Sequence, residues 1–107
     1  MENKFLIESQ YNVKIEGLSV TIKIEGELNA KTVILFEQEV KNIFLKQPQD
    51  IYLDLDNVTH LVSVGIGSLL LIHDFVTQKG YKFQIIRIND KVRNILHVMG
   101  LDYIMVM

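Results

Sequence analysis

No cysteine occurs among the 107 residues. That removes disulfide frameworks, thiolate zinc sites, iron–sulfur clusters and cysteine nucleophiles. There is a single proline, Pro48, and neither a repeat nor a low-complexity stretch. Nothing in the chain reads as a linker, so residues 1–107 are expected to form one domain. Long apolar runs are missing as well. Leu69-Leu70-Leu71-Ile72 is interrupted by His73-Asp74, well short of the roughly 20 residues that a membrane span needs. Met1-Glu2-Asn3-Lys4 has no basic start followed by a long apolar block, which is not the pattern of a secretory signal. A cytoplasmic protein without membrane insertion is the expectation. Nor is positive charge in excess: Lys and Arg number 11 against 13 Asp and Glu, for a net charge of -2. Direct nucleic-acid binding is therefore not expected.

What is present is apolar content. Hydrophobic residues make up 49% and charged ones 22%, a balance that excludes intrinsic disorder and supports a well-filled core. Val13-Lys14-Ile15-Glu16 reads as a short strand that Phe5-Leu6-Ile7 extends upstream, with Gly17 at a tight turn. Leu18, Val20, Ile22 and Ile24 alternate with Ser19, Thr21, Lys23 and Glu25, the period of a half-buried strand, and Gly26 is expected to end it. From Ala30 the period lengthens. Val33, Phe36, Val40, Ile43 and Phe44 recur at helical spacing, with Asn29 as the expected N-cap and Gln47-Pro48-Gln49 as the stop. Ile51, Leu53 and Leu55 alternate with Tyr52, Asp54 and Asp56 in a second half-buried, central strand.

Residues 57–63 read as a connector, and 65–78 as a second helix with Ile66, Leu69, Leu70, His73 and Val76 on one stripe, stopped at Gly80. Phe83, Ile85 and Ile86 mark another strand. Val92, Ile95, Leu96 and Met99 form a third helical stripe, started by Asn89-Asp90 and ended by Gly100. Residues 103–106 have the makings of a last edge strand. Strands alternating with helices predict an α/β fold: a mixed, largely parallel sheet of about four to five strands, opened by an N-terminal β-hairpin and carrying three to four helices. In such sheets the loops at the carboxyl ends of the strands carry function.

One of those loops stands out. In Leu61-Val62-Ser63-Val64-Gly65-Ile66-Gly67 a serine sits where a helix begins. Backbone N–H groups lack intrahelical partners there, and the helix dipole is positive. A phosphate on Ser63 would meet free donors. Equally, serine is a favoured N-cap, and that structural role accounts for it without any chemistry. Gly65 and Gly67 are expected to keep the first turn uncrowded. No Lys-Ser/Thr pair follows, so the loop is not a Walker A loop, and Gly-Ile-Gly is too short for a dinucleotide fingerprint.

The run from Val13 to Leu101 resembles a STAS domain, the module of bacterial anti-sigma factor antagonists and of sulfate transporter tails. The matching pieces are Glu25-Gly26-Glu27-Leu28-Asn29, Ile51-Tyr52-Leu53-Asp54-Leu55-Asp56-Asn57-Val58, Ser63-Val64-Gly65-Ile66-Gly67, Gly80-Tyr81-Lys82-Phe83, Val92-Arg93-Asn94-Ile95-Leu96 and Gly100-Leu101. The resemblance implies that Ser63 is phosphorylated by an anti-sigma factor that is also a serine kinase. It also implies a partner-binding surface on Asn57, Thr59, His60, Val62, Ser63, Val64, Gly65 and Gly67. Val62 stands where the antagonists have Asp, and Val64 where they have Ser or Thr. These changes remove an acid beside the acceptor and make its rim apolar. They favour an alternative within the same family: an unphosphorylated adaptor subunit, such as one packed on the ATPase of an ABC transporter. A small-ligand or nucleotide sensor using the same helix start is a third reading.

No catalytic residue, metal site or cofactor is assigned. Asp54 and Asp56 share one strand face at i, i+2 without a third oxygen ligand at matching spacing, and are read as structural. His60, His73 and His97 are too far apart for a local metal motif. His73 reads as a hydrogen-bonded core or groove residue. A Ser63–His60 nucleophile pair lacks an orienting acid or oxyanion-hole signature. Lys91 and Arg93 read as solvated.

Overall fold

The computed structural model describes residues 5–14 and 17–105. Its elements are β1 (Phe5–Lys14), β2 (Gly17–Leu28), α1 (Thr32–Lys46), β3 (Asp50–Leu61), α2 (Ser63–Thr77), β4 (Phe83–Ile88) and α3 (Asp90–Val98), followed by a 3-10 turn at Asp102–Ile104. The four strands lie in the order β1-β2-β3-β4. β1 and β2 form an antiparallel hairpin, while β2–β3 and β3–β4 are parallel. This is the expected mixed, largely parallel α/β sheet. Right-handed crossovers between neighbouring parallel strands put α1 and α2 on the same face, and the two helices pack against each other.

Burial follows the alternation read from the sequence. Val20, Ile22 and Ile24 of β2 and Ile51, Leu53 and Leu55 of β3 are fully buried. Their neighbours Thr21, Lys23, Tyr52 and Asp54 stay partly exposed on the other face. α1 contributes Phe36, Val40 and Phe44 to the core, α2 contributes Ile66, Leu69, Ile72 and Val76, and α3 contributes Val92 and Leu96. No helix among the described residues is long and apolar enough to cross a membrane.

Several boundaries differ from expectation, each for a physical reason. β1 runs through the polar stretch Glu8–Asn12 and pairs along its whole length, from Phe5 opposite Gly26 to Lys14 opposite Gly17. As an edge strand, with Leu6 and Tyr11 exposed, it needs no buried face to advertise it. The expected strand end at Ile15-Glu16 lies outside the described residues, as does Val106. Gly26 does not end β2. It takes a positive φ of 100° within a strand that continues to Leu28, beside a register shift against β3, a backbone geometry that glycine adopts without strain.

The N-cap of α1 is Lys31, without a side-chain cap bond, and not the expected Asn29; Asn29 instead braces the turn that leads into the helix, its side-chain oxygen accepting the N–H groups of Lys31 (2.9 Å) and Thr32 (3.2 Å). Met99 leaves the stripe and is exposed, because α3 stops at Val98. The expected last strand is a 3-10 turn followed by one parallel bridge between Ile85 and Met105. Burial of Ile104 and Met105 anchors this segment in place of a ladder.

Candidate functional site

The stretch 57–61, expected to be a connector, is the continuation of β3. It breaks the period of two because β3 carries extra residues relative to β2. The register slips between Lys23 and Glu25 and again between Gly26 and Glu27, and each bulge reverses which side chains face inward. Burial therefore passes from Leu55 to Val58 to Leu61, at intervals of three. Asn57, Thr59 and His60 are turned outward. They border a shallow groove of about 740 Å³ that also involves Glu25, Asp56 and Lys91.

The outward side chains are tied to neighbouring elements. Asn57 Nδ2 donates to Glu25 Oε1 at 3.2 Å. His60 Nδ1 lies 3.3 Å from Glu27 Oε1 and 3.2 Å from Thr59 Oγ1. Lys91, read as solvated, instead donates from Nζ to the Thr59 carbonyl at 3.2 Å.

β3 passes into α2 at Val62, whose N–H reaches the Leu28 carbonyl at 3.4 Å. Val62, not Ser63, is the N-cap of α2, in extended conformation and without a side-chain cap bond. The capping reading of Ser63 is thereby corrected. Ser63 is the first helical residue, it is exposed, and among the described residues its hydroxyl makes no hydrogen bond. Nor do the N–H groups of Ser63 and Val64 have a partner, whereas Gly65 and Ile66 donate to the Val62 carbonyl at 2.9 and 3.1 Å. The hydroxyl is flanked by Val62, 46% exposed, and Val64, 43% exposed. Such valines on both sides give the serine an apolar rim.

The two glycines do different things. Gly67 is exposed, and a Cβ built there would meet nothing within 4 Å. Gly65 is buried, and a Cβ there would lie 2.8 Å from both the Leu28 carbonyl oxygen and Leu61 Cδ1. The uncrowded first turn holds for Gly67 only. Gly65 faces the sheet, where it brings α2 close, whereas Asn57, Thr59, His60, Val62, Ser63, Val64 and Gly67 are each exposed.

Of the other candidates, Asp56 lines the groove beside Asn57, Thr59 and His60. Asp54 and Asp56 face Arg87, with Oδ2 atoms 3.8 Å from Nε and 3.4 Å from Nη2 respectively. Asp56 sits within β3 and not at its end. His73 is partly buried, with the rings of Phe83 and Tyr103 at centroid distances of 6.0 and 5.5 Å and its Nδ1 3.2 Å from Asp74 Oδ1. The Ser63 hydroxyl and the His60 ring make no hydrogen bond with each other.

Asn89, expected to start α3, does more. Asn89 caps α3, accepting the Val92 N–H at 2.9 Å. Its Nδ2 also points at the carbonyl oxygens of Val58 (2.8 Å), Asp56 (3.0 Å) and Leu55 (3.4 Å). An asparagine between a strand and a helix announces the first role. The second depends on where the bulged strand lies in space.

Comparison with known proteins agrees with this architecture. The family model of the STAS domain matches residues 10–107. An anti-sigma-B factor antagonist of Staphylococcus aureus is 26% identical over 84 residues, 78% of each chain. The anti-sigma factor antagonist SpoIIAA in its unphosphorylated form superimposes with a TM-score of 0.77 at 17% identity, over 96% of this chain and 86% of that one. The protein tm1081 of Thermotoga maritima superimposes with a TM-score of 0.73 at 28% identity, over 90% and 81%.

Proposed function

The chain belongs to the STAS domain family, and on that premise we propose that it is a cytoplasmic anti-sigma factor antagonist that works by partner switching. What supports the antagonist part of this reading is that relatives of similar length are described as anti-sigma factor antagonists. In this reading the outward surface around Ser63 docks on an anti-sigma factor and so frees a sigma factor. The anti-sigma factor is also the serine kinase; it brings the nucleotide and phosphorylates Ser63, and the domain itself performs no chemistry.

The observation that carries the reading is the Ser63 hydroxyl, exposed and unpartnered among the described residues, at the start of α2 between two exposed valines. A kinase can reach it without unfolding anything. The phosphate adds about -1.5 to -2 of charge in the middle of an apolar rim. Covering that charge in an interface without a cationic partner costs a few kcal/mol, enough to release a micromolar complex.

The test uses the anti-sigma factor kinases encoded by the same genome, purified and incubated with this protein and ATP. Mass spectrometry should place the phosphate on Ser63; phosphate found only elsewhere removes Ser63 from the mechanism.

Exposed Val62 and Val64 favour a second reading, a constitutive adaptor that packs this apolar rim on a larger subunit, such as the ATPase of an ABC transporter. That reading expects a stable complex with the subunit and no phosphorylation.

A further inference from the structure

We propose that Asn89 is the positioning residue of the Ser63 surface, holding the bulged end of β3 in the one path that presents Asn57, Thr59, His60 and Ser63 outward. The inference rests on the reading of that surface as the docking site and adds a residue lying behind it.

β3 is longer than its neighbour β4. The ladder between them ends where Leu55 pairs with Ile88, and the next residue, Asn89, turns the chain away into α3. Beyond that point the β4-facing side of β3 has no strand partner among the described residues, yet it must hold a segment containing two bulges. Unpaired carbonyl groups in partly buried backbone are costly. The Asn89 amide takes the place of the missing strand, with Nδ2 facing the carbonyls of Leu55, Asp56 and Val58 at 3.4, 3.0 and 2.8 Å. Its oxygen is engaged at the same time by the Val92 N–H, so the amide cannot turn without uncapping α3. Lys91 extends the clamp by one carbonyl, that of Thr59, at 3.2 Å. The held carbonyls therefore lie immediately before and within the outward-facing run, and α3 serves as the rigid body to which that run is bolted.

The two functions of the amide separate by substitution. Asn89→Asp keeps an oxygen acceptor for the Val92 N–H and sets a carboxylate against three carbonyl oxygens. Asn89→Ser keeps a cap oxygen and removes the amide Nδ2 that reaches the three carbonyls, without adding charge, which covers the case in which the aspartate variant does not fold. Val76→Ala, in the core at the far end of α2, is the control for general loss of stability.

The measurements are site-resolved amide hydrogen exchange and the affinity for the kinase that phosphorylates the wild-type protein. With the clamp lost, exchange at 57–62 should rise about tenfold or more while the amides of α3 keep their protection. Affinity should fall at least about fivefold in both Asn89 variants and stay unchanged in Val76→Ala.

Wild-type exchange at 57–62 in both Asn89 variants overturns the inference. So does loss of α3 protection in step with it, or unchanged affinity when Ser63→Asp does weaken the complex. If Ser63→Asp leaves affinity unchanged as well, the docking reading itself fails, and the positional role of Asn89 is then decided by the exchange data alone.

Discussion

Gly65 and Leu28 approach so closely that a methyl group on the glycine would sit 2.8 Å from the leucine carbonyl oxygen. That oxygen is backbone, held in β2 and bonded to the Val62 N–H, so it has little freedom to give way. Gly65→Ala must push α2 off the sheet at the point where Ser63 is presented. The expected loss of stability is about 1–3 kcal/mol, as for other overpacked sites, or roughly 4–8 °C in Tm per kcal/mol. Gly67→Ala is expected to do the reverse. It fills open space in a helix interior and should stabilise by up to about 1 kcal/mol through helix propensity. Thermal melts of the two variants check both signs.

Ser63→Ala should be nearly silent in the isolated protein. The hydroxyl is exposed and makes no hydrogen bond among the described residues, so denaturant unfolding should give a change within about 0.5 kcal/mol of wild type. Ser63→Asp adds a carboxylate at the positive end of α2 and should leave stability equal or slightly higher. Its effect should fall on the complex, with affinity for the anti-sigma factor reduced at least about tenfold. A large loss of stability in either variant would mean that the hydroxyl supports the fold.

The strands and helices with one buried face were legible in the sequence because their periods are clean. Val20, Ile22 and Ile24, or Val33, Phe36, Val40 and Phe44, admit one reading each. The end of β3 was not. Two bulges convert the period of two into the spacing Leu55, Val58, Leu61, which matches neither a strand nor a full helical face. The same shift hid the Asn89 clamp, a contact between residues about thirty apart in the chain. Ser63 was visible as a serine at a helix start, but its role turned on a single residue of phase. With Val62 as the cap, the hydroxyl is left free and not folded back on the backbone. Gly65 and Gly67 look alike in sequence, and only the proximity of β2 separates them.

Arg87 bridges the two carboxylates of β3, but its side chain is 65% exposed. Exposed ion pairs contribute little because water screens them and ordering the side chains costs entropy. Arg87→Ala should therefore lower stability by no more than about 1 kcal/mol, with the difference shrinking further in high salt. A larger or salt-independent loss, read by urea unfolding at two ionic strengths, would show that Asp54 and Asp56 depend on the guanidinium to lie together on that face.

Val62→Asp tests the apolar rim directly. The valine occupies the N-cap of α2 and offers it nothing, while the Val64 N–H, two residues on, has no partner among the described residues. An aspartate in the same extended conformation can accept that N–H and places a negative charge at the positive end of the helix. The expected gain is about 0.5–2 kcal/mol, seen as a higher Tm. The substitution also introduces the acid that the resemblance to the antagonists implies beside the phosphorylated serine. If the kinase reads that acid, Ser63 in the variant should be phosphorylated faster than in the wild type under equal conditions. A gain in Tm without a gain in rate would assign the acid to helix capping alone. A loss in Tm would show that Val62 is held in place by packing that the exposed rim does not reveal.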